Sequence, residues 1–105
     1  MEWDQLEPAQ RRMLQEVAQR LAAAGRSEHA PAAAAVRCLQ GMERLQAAGV
    51  PIIATGTGTS AADPVVEIQA ALRELAQLPP AVFDTTVVLD VAAGVQAALV
   101  ACRPA

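Results

Sequence analysis

Apolar residues recur at intervals of three and four along four stretches of the chain. This spacing places them on one face of an α-helix, so it predicts four amphipathic helices over about residues 8–24, 28–48, 64–78 and 85–102. The apolar faces are, in chain order, Leu14, Val17, Leu21 and Ala24; Ala35, Cys38, Met42 and Leu45; Val65, Ile68, Leu72 and Leu75; and Val88, Val91, Val95, Ala98 and Cys102.

Residues with strong preferences for helix ends mark most of the boundaries. Pro8 suits a first helical turn, where its missing N–H would be unpaired anyway. Gly25 is expected to adopt the left-handed conformation that ends the first helix, and Gly49 to end the second. Ser27 is expected to cap the second helix and Asp63 the third, because their short side chains accept hydrogen bonds from the free N–H groups of a first turn.

Residues 50–62 interrupt the helical pattern. After Ile53 they contain Gly56, Gly58, Thr and Ser but no large apolar side chain, a composition typical of a flexible link. The sequence therefore predicts a single all-α domain over residues 1–105. We expect a small four-helix bundle in which this Gly/Thr-rich link joins two antiparallel helical hairpins, and which dimerisation would complete.

Residues with branched side chains leave a second fold open. Residues 82–89 are rich in β-branched residues, which favour strands, and residues 50–55 have a similar character. The alternative is an α/β fold with these two segments as parallel strands around the third helix. A sheet of two strands in so small a chain would need a partner to cover it, so the all-α fold is preferred.

The link contains one motif that is typical of a phosphate-binding loop. Residues 56–61 read Gly-Thr-Gly-Thr-Ser-Ala, which matches the G-x-G-x-x-A pattern whose backbone N–H groups approach a pyrophosphate. However, the third helix starts only at Asp63, and too few residues follow for the rest of a dinucleotide-binding sheet. The Gly56–Gly58 loop is thus an alternative hypothesis, in which the chain is a ligand- or nucleotide-binding module.

Composition and charge limit the partners. The chain has 25 Ala but one Trp, one Phe and no Tyr, so its core is thin. Its net charge of −3 opposes binding to nucleic acid, which needs clustered cations. Glu16 and Arg20 are expected to pair on the outer surface of the first helix. Glu67 and Glu74 are expected on a solvated face of the third.

No targeting or membrane segment is expected. The N-terminal residues lack a basic region followed by an apolar stretch, so no signal peptide is predicted. Residues 85–102 are nearly long enough to span a bilayer, but Asp90 inside them makes insertion costly. We expect a cytoplasmic protein that does not bind membranes.

Side chains able to carry out chemistry are few and dispersed. His29 is the only histidine, and the local sequence places no nucleophile beside it. Cys38 is expected in the core and Cys102 in a more exposed last turn, where a redox role is the less favoured interpretation. Asp90 is expected to find an arginine or to face solvent. No catalytic residue, metal site or cofactor is predicted, and the chain is expected not to be an enzyme.

The remaining hypothesis is an interaction protein. The last helix is apolar on every side except at Asp90 and Gln96, so it must be surrounded. Trp3 either attaches the N-terminus to the bundle or anchors an interface. The partner is expected to be a second copy, forming a homodimer, or another protein. The predicted interface residues are Trp3, Leu6, Val88, Val91, Val95 and Leu99.

Overall fold

All the regular secondary structure of the described residues is helical. A computed structural model describes residues 3–51, 61–78 and 85–103. The elements are a short 3-10 turn at Trp3–Gln5 and four α-helices: α1 (Pro8–Gly25), α2 (Ala32–Ala47), α3 (Pro64–Gln77) and α4 (Thr85–Ala101). No β-strand occurs in these three segments. The prediction of an all-α helical bundle is therefore confirmed.

The two sequence segments that favoured the α/β alternative have different outcomes. Residues 85–89 belong to α4, so the strand interpretation of residues 82–89 is wrong over the part that is described. These residues form a helix because α4 packs its apolar residues against α2 and α3. Most of residues 50–55, together with Gly56 and Gly58, lies outside the described residues, and the ligand-binding loop stays a prediction.

Three of the predicted helix boundaries are confirmed. Pro8 is the first residue of α1, and the Gln10 side chain accepts a hydrogen bond from the N–H of Glu7 over 3.2 Å. The Asp63 carboxylate caps α3 by accepting from the N–H of Val65 over 3.0 Å. Gly49 follows α2 with a φ of 104°, a conformation that glycine adopts without strain.

Two boundary predictions are wrong, for reasons of tertiary contact. Ser27 does not cap α2, which begins only at Ala32, because its hydroxyl donates to the carbonyl of Ala62 and accepts from the N–H of His29. Gly25 remains helical and is not left-handed. Its small size is needed instead for close packing, since a Cβ there would lie 2.7 Å from Cγ of Leu39.

Each helix packs mainly against two others. The first, α1, contacts α2 and α3, and α4 contacts the same two helices from the opposite side. The pairs run in opposite directions: a Cβ at Gly25 would lie near Leu39, whereas one at Gly41 would lie 3.2 Å from Leu21. Likewise, Ser27 bonds Ala62 near the start of α3.

These contacts define the two ends of the bundle. At the first, called the His29 end, the α1–α2 connection meets the start of α3 and the end of α4. At the other, called the Trp3 end, the N-terminal turn lies beside Gly49, just after α2.

The core contains the whole predicted stripe of α1, whereas on α2, α3 and α4 some predicted positions are only partly buried. All four predicted positions of α1 are buried, from Leu14 to Ala24. In α2 the buried residues are Ala34, Cys38, Gly41 and Leu45, so Met42 and Ala35 lie at the edge of the core. None of the described helices is long and apolar enough to cross a membrane.

Candidate functional site

The outer side of α4 exposes two large aliphatic residues on one face. Leu89 is 64 % exposed and Val100 is 62 % exposed. They are eleven residues apart, close to three helical turns, so both side chains leave the same side of the helix about 16 Å apart. Ala93 and Gln96 are exposed between them. These four residues, Leu89, Ala93, Gln96 and Val100, are called the α4 surface below.

This exposure follows from the composition of α4. The helix carries a single charged residue, Asp90, among seventeen. The core side consists of Val87, Val91, Val95 and Ala98, which are all buried. Because α2 and α3 cover only the flanks, the remaining apolar side faces outward. Among the described residues, the other exposed large apolar side chains are Val36 in α2 and Val66 in α3, one on each helix, and single exposed apolar residues are normal on protein surfaces.

A groove between α2 and α4 borders this surface. It is open, encloses about 400 Å³, and has Gly41 and Gly94 in its floor. A Cβ at Gly94 would meet no heavy atom within 4 Å, so the groove has free space beside the helix backbone. Its rim carries Arg37 at one end, and Arg44 with Asp90 at the other.

The charges on that rim are unequally matched. Arg44 donates to Asp90 over 3.3 Å, as expected for an acid in an otherwise apolar helix. Both side chains are about half exposed, which makes this a solvent-screened pair. No ion pair joins Arg37 to any residue in the described segments. One end of the groove is therefore neutral and the other is positive.

None of the six predicted interface residues belongs to the α4 surface. Leu6, Val91 and Val95 are buried in the core, with exposures of 3 %, 1 % and 0 %. Val88 and Leu99 are partly buried against that core. In this arrangement the three buried residues present no outer surface, and they would reach a second chain only if the bundle opened.

Trp3 lies where the N-terminal turn meets the end of α2. Its side chain is partly buried against the core, and its Cβ lies 3.8 Å from the position of a Cβ at Gly49. This contact matches the interpretation of Trp3 as attaching the N-terminus to the bundle. A role at an interface stays a prediction.

Sequence reasoning missed Leu89 and Val100. A signal for them exists, because residues 89, 93, 96 and 100 follow the same spacing of four, three and four that marks a helix face. On α4 two such faces coexist, and the sequence does not say which of them the rest of the chain covers.

A second cavity at the His29 end brings together residues that the sequence analysis treated separately. It encloses about 400 Å³ and includes His29, Asp63 and Cys102 in its lining. Burial raises the pKa of the Cys102 thiol, and the nearby Asp63 carboxylate raises it further. A thiol with a raised pKa is a poor nucleophile, because the reactive thiolate is scarce at neutral pH.

The other groups of this cavity are occupied by structural contacts. The Asp63 carboxylate caps α3, and the largely exposed imidazole of His29 lies 3.4 Å from Glu28. Within the described segments, no three His, Cys, Asp or Glu side chains are grouped so that they could hold a metal ion. The arrangement therefore shows neither a nucleophile activated by a base nor a metal centre.

A cross-helix ion cluster joins α1 to α3. Arg20 does not extend along its own helix toward Glu16 as the spacing suggested. Its Nε donates to Glu74 over 2.5 Å, and its Nη1 lies 3.4 Å from Glu67. The hydrogen bond to Glu74 raises the pKa of Arg20 above its ordinary value. Both acids thus face α1 and fix how it packs on α3.

The chain matches no protein-family model, and no curated protein or solved structure is significantly similar to it.

Proposed function

We propose that this chain is a small non-enzymatic interaction protein, of the adaptor, secretion-chaperone or assembly-factor type, which binds an apolar helix on its α4 surface. The observation that carries the proposal is the exposure of Leu89 and Val100 on one side of a helix whose only charge is Asp90. Aligned apolar residues of this kind mark contact sites for other proteins more often than isolated ones do.

The proposed bundle consists of two antiparallel hairpins, α1–α2 and α3–α4. The opposed contacts along α1 and α2 support the first hairpin. In this arrangement α4 has neighbours on both flanks, and a partner helix on its outer side would complete its burial. Covering the exposed parts of Leu89 and Val100 would contribute on the order of 1–2 kcal/mol each, with further apolar area from Ala93 between them.

Site-specific photo-crosslinking in cells of the source organism tests this function. A photoreactive residue replaces Ala93 on the α4 surface, or Ala76, which is exposed on α3, as the matched control. We expect a protein adduct from position 93 but not from position 76, and we expect Leu89→Glu in the same chain to abolish it. Equal labelling from both positions, or none from position 93, would contradict the proposal.

A further inference from the structure

We infer that the helix bound on the α4 surface is α4 of a second copy of this chain, in antiparallel orientation about a two-fold axis near Gly94 and Val95. The inference rests on the proposed function and specifies its partner. Three features carry it: the placement of the large apolar residues, the size match of the residues between them and the charges on the neighbouring groove.

A single two-fold axis, passing between residues 94 and 95, relates the two large apolar residues of the α4 surface. Leu89 and Val100 lie equally far in sequence from the point between residues 94 and 95. A two-fold axis through this point brings Leu89 of one chain opposite Val100 of the other, at both ends of the contact. This self-complementarity is what a symmetric dimer requires, since both copies use the same patch.

The residues in the middle of the surface are complementary in size. Ala93 and Gln96 are both exposed there, and Ala93 carries no side chain beyond Cβ. In the antiparallel arrangement, Ala93 of one chain lies at the height of Gln96 of the other. The small alanine thus leaves room for the longer amide side chain, and the side chains at the two ends can make contact.

Charge complementarity selects the antiparallel orientation. Gly41 lies between Val91 and Val95 along α4, so Arg37, one turn away, lies near the height of Ala97. In an antiparallel dimer the partner's Asp90 reaches about the same height. Each Asp90 would then lie between Arg44 of its own chain and the partner's Arg37, which has no ion-pair partner in the described segments. A parallel two-fold dimer would place the two grooves on opposite sides of the helix pair, where Arg37 could not reach the partner's Asp90.

Disulfide cross-linking of purified protein tests the orientation. Two variants, Leu89→Cys and Val100→Cys, are made in a Cys102→Ser background, in which the remaining Cys38 is buried. In an antiparallel dimer, equivalent positions are about 16 Å apart, too far for a disulfide, whereas residue 89 of one chain meets residue 100 of the other. We therefore expect cross-linking on mild oxidation of the mixture and not of either variant alone.

Sedimentation measurements test the association and its charges. The natural sequence should show a concentration-dependent dimer, and Leu89→Glu should make it monomeric with an unchanged helical circular dichroism spectrum. Arg37→Glu should raise the dissociation constant severalfold. Arg12→Glu, at an exposed position on α1 with the same charge change, should leave it unchanged.

The outcomes separate this inference from the proposed function. A monomer at every concentration, or cross-linking within the single-variant samples, overturns the antiparallel dimer. If the purified chain is monomeric while position 93 labels a different protein in cells, the dimer is wrong and the interaction function stands. If position 93 labels nothing, both fail.

Discussion

Two glycines within helices have opposite surroundings, and this difference is testable. A Cβ at Gly25 would lie 2.7 Å from Leu39 and 3.3 Å from the carbonyl of Ala35, whereas one at Gly94 would meet nothing within 4 Å. We expect Gly25→Ala to destabilise the protein by about 1–3 kcal/mol through overpacking. Gly94→Ala should stabilise it by up to about 1 kcal/mol, because alanine favours the helix.

Urea unfolding of the two glycine variants measures both effects with the same chemical change. A similar loss of stability in both would show that the close contact with Leu39 does not determine the role of Gly25.

The buried thiol of Cys38 predicts a dependence of stability on pH. Burial raises its pKa from 9.0 to about 11, and the neighbouring Cys102 contributes a smaller part. Above about pH 9 the unfolded chain releases this proton while the folded chain retains it, so the full stability is present below pH 9 and declines toward pH 11. The decline is at most about 1.4 kcal/mol per pH unit.

Unfolding by urea between pH 8 and 10.5 measures this decline, in a Cys102→Ser background so that a single thiol titrates. Cys38→Val keeps an apolar side chain of similar size and should flatten the profile. An equal slope in that variant would assign the pH dependence to other groups.

At the scale of the helices, the two cross-helix ion pairs should differ in strength. Arg20→Ala leaves the Glu74 carboxylate, which is only 15 % exposed and already has one unpartnered oxygen, without its cation. We expect a loss of about 1–2 kcal/mol, because uncompensated charge in a partly buried site is costly. Arg44→Ala breaks the half-exposed pair with Asp90 and should cost no more than about 0.5 kcal/mol.

Thermal or urea unfolding of both arginine variants, with Glu74→Gln added to Arg20→Ala, checks this ranking. The double variant should recover part of the loss, since an amide needs no counter-ion. Equal losses of stability for Arg20→Ala and Arg44→Ala would contradict the expected ranking of the two ion pairs.

The two sides of α4 give a further matched pair of substitutions. Val95 is 0 % exposed and Leu89 is 64 % exposed. Val95→Glu places a carboxylate among core side chains and should unfold the chain, whereas Leu89→Glu should leave the helical circular dichroism signal intact. Loss of helix in both variants would show that the outer side of α4 is also part of the core.

How well each helix could be predicted depends on how far its sides differ. On α1 the apolar and polar sides are distinct, so all four positions of the predicted stripe from Leu14 to Ala24 are buried, and the spacing missed only Ala18 and Ala22 beside them. On α4 nearly every side is apolar, so the spacing of apolar residues does not show which side faces the core. The start of α2 was predicted wrongly for another reason. Ser27 donates a hydrogen bond to the carbonyl of Ala62, a partner 35 residues away that the local sequence does not reveal.

At the scale of the whole molecule, the candidate site depends on which helices become neighbours. The sequence indicated an apolar last helix and an interaction function, but the α4 surface exists because α2 and α3 flank α4 and leave its outer side free. The groove beside it combines Arg37 of α2 with Asp90 of α4, residues more than fifty positions apart. Neither feature follows from the pattern of any single segment.

The opposite positions of Pro51 and Ala61 set a minimum length for the chain between them. Pro51 follows α2 at the Trp3 end, and Ala61 lines the cavity at the His29 end, so they are separated by about the length of α2, whose 16 residues span about 24 Å. Nine residues lie between them, and ten peptide units reach at most about 34 Å. Deleting four of these residues shortens the maximum reach to about 20 Å, which is less than the distance to be spanned. The shortened chain could no longer pack its own α1 and α2 against its own α3 and α4 and would exchange them with a second molecule, so gel filtration should show a domain-swapped dimer that persists in the Leu89→Glu background.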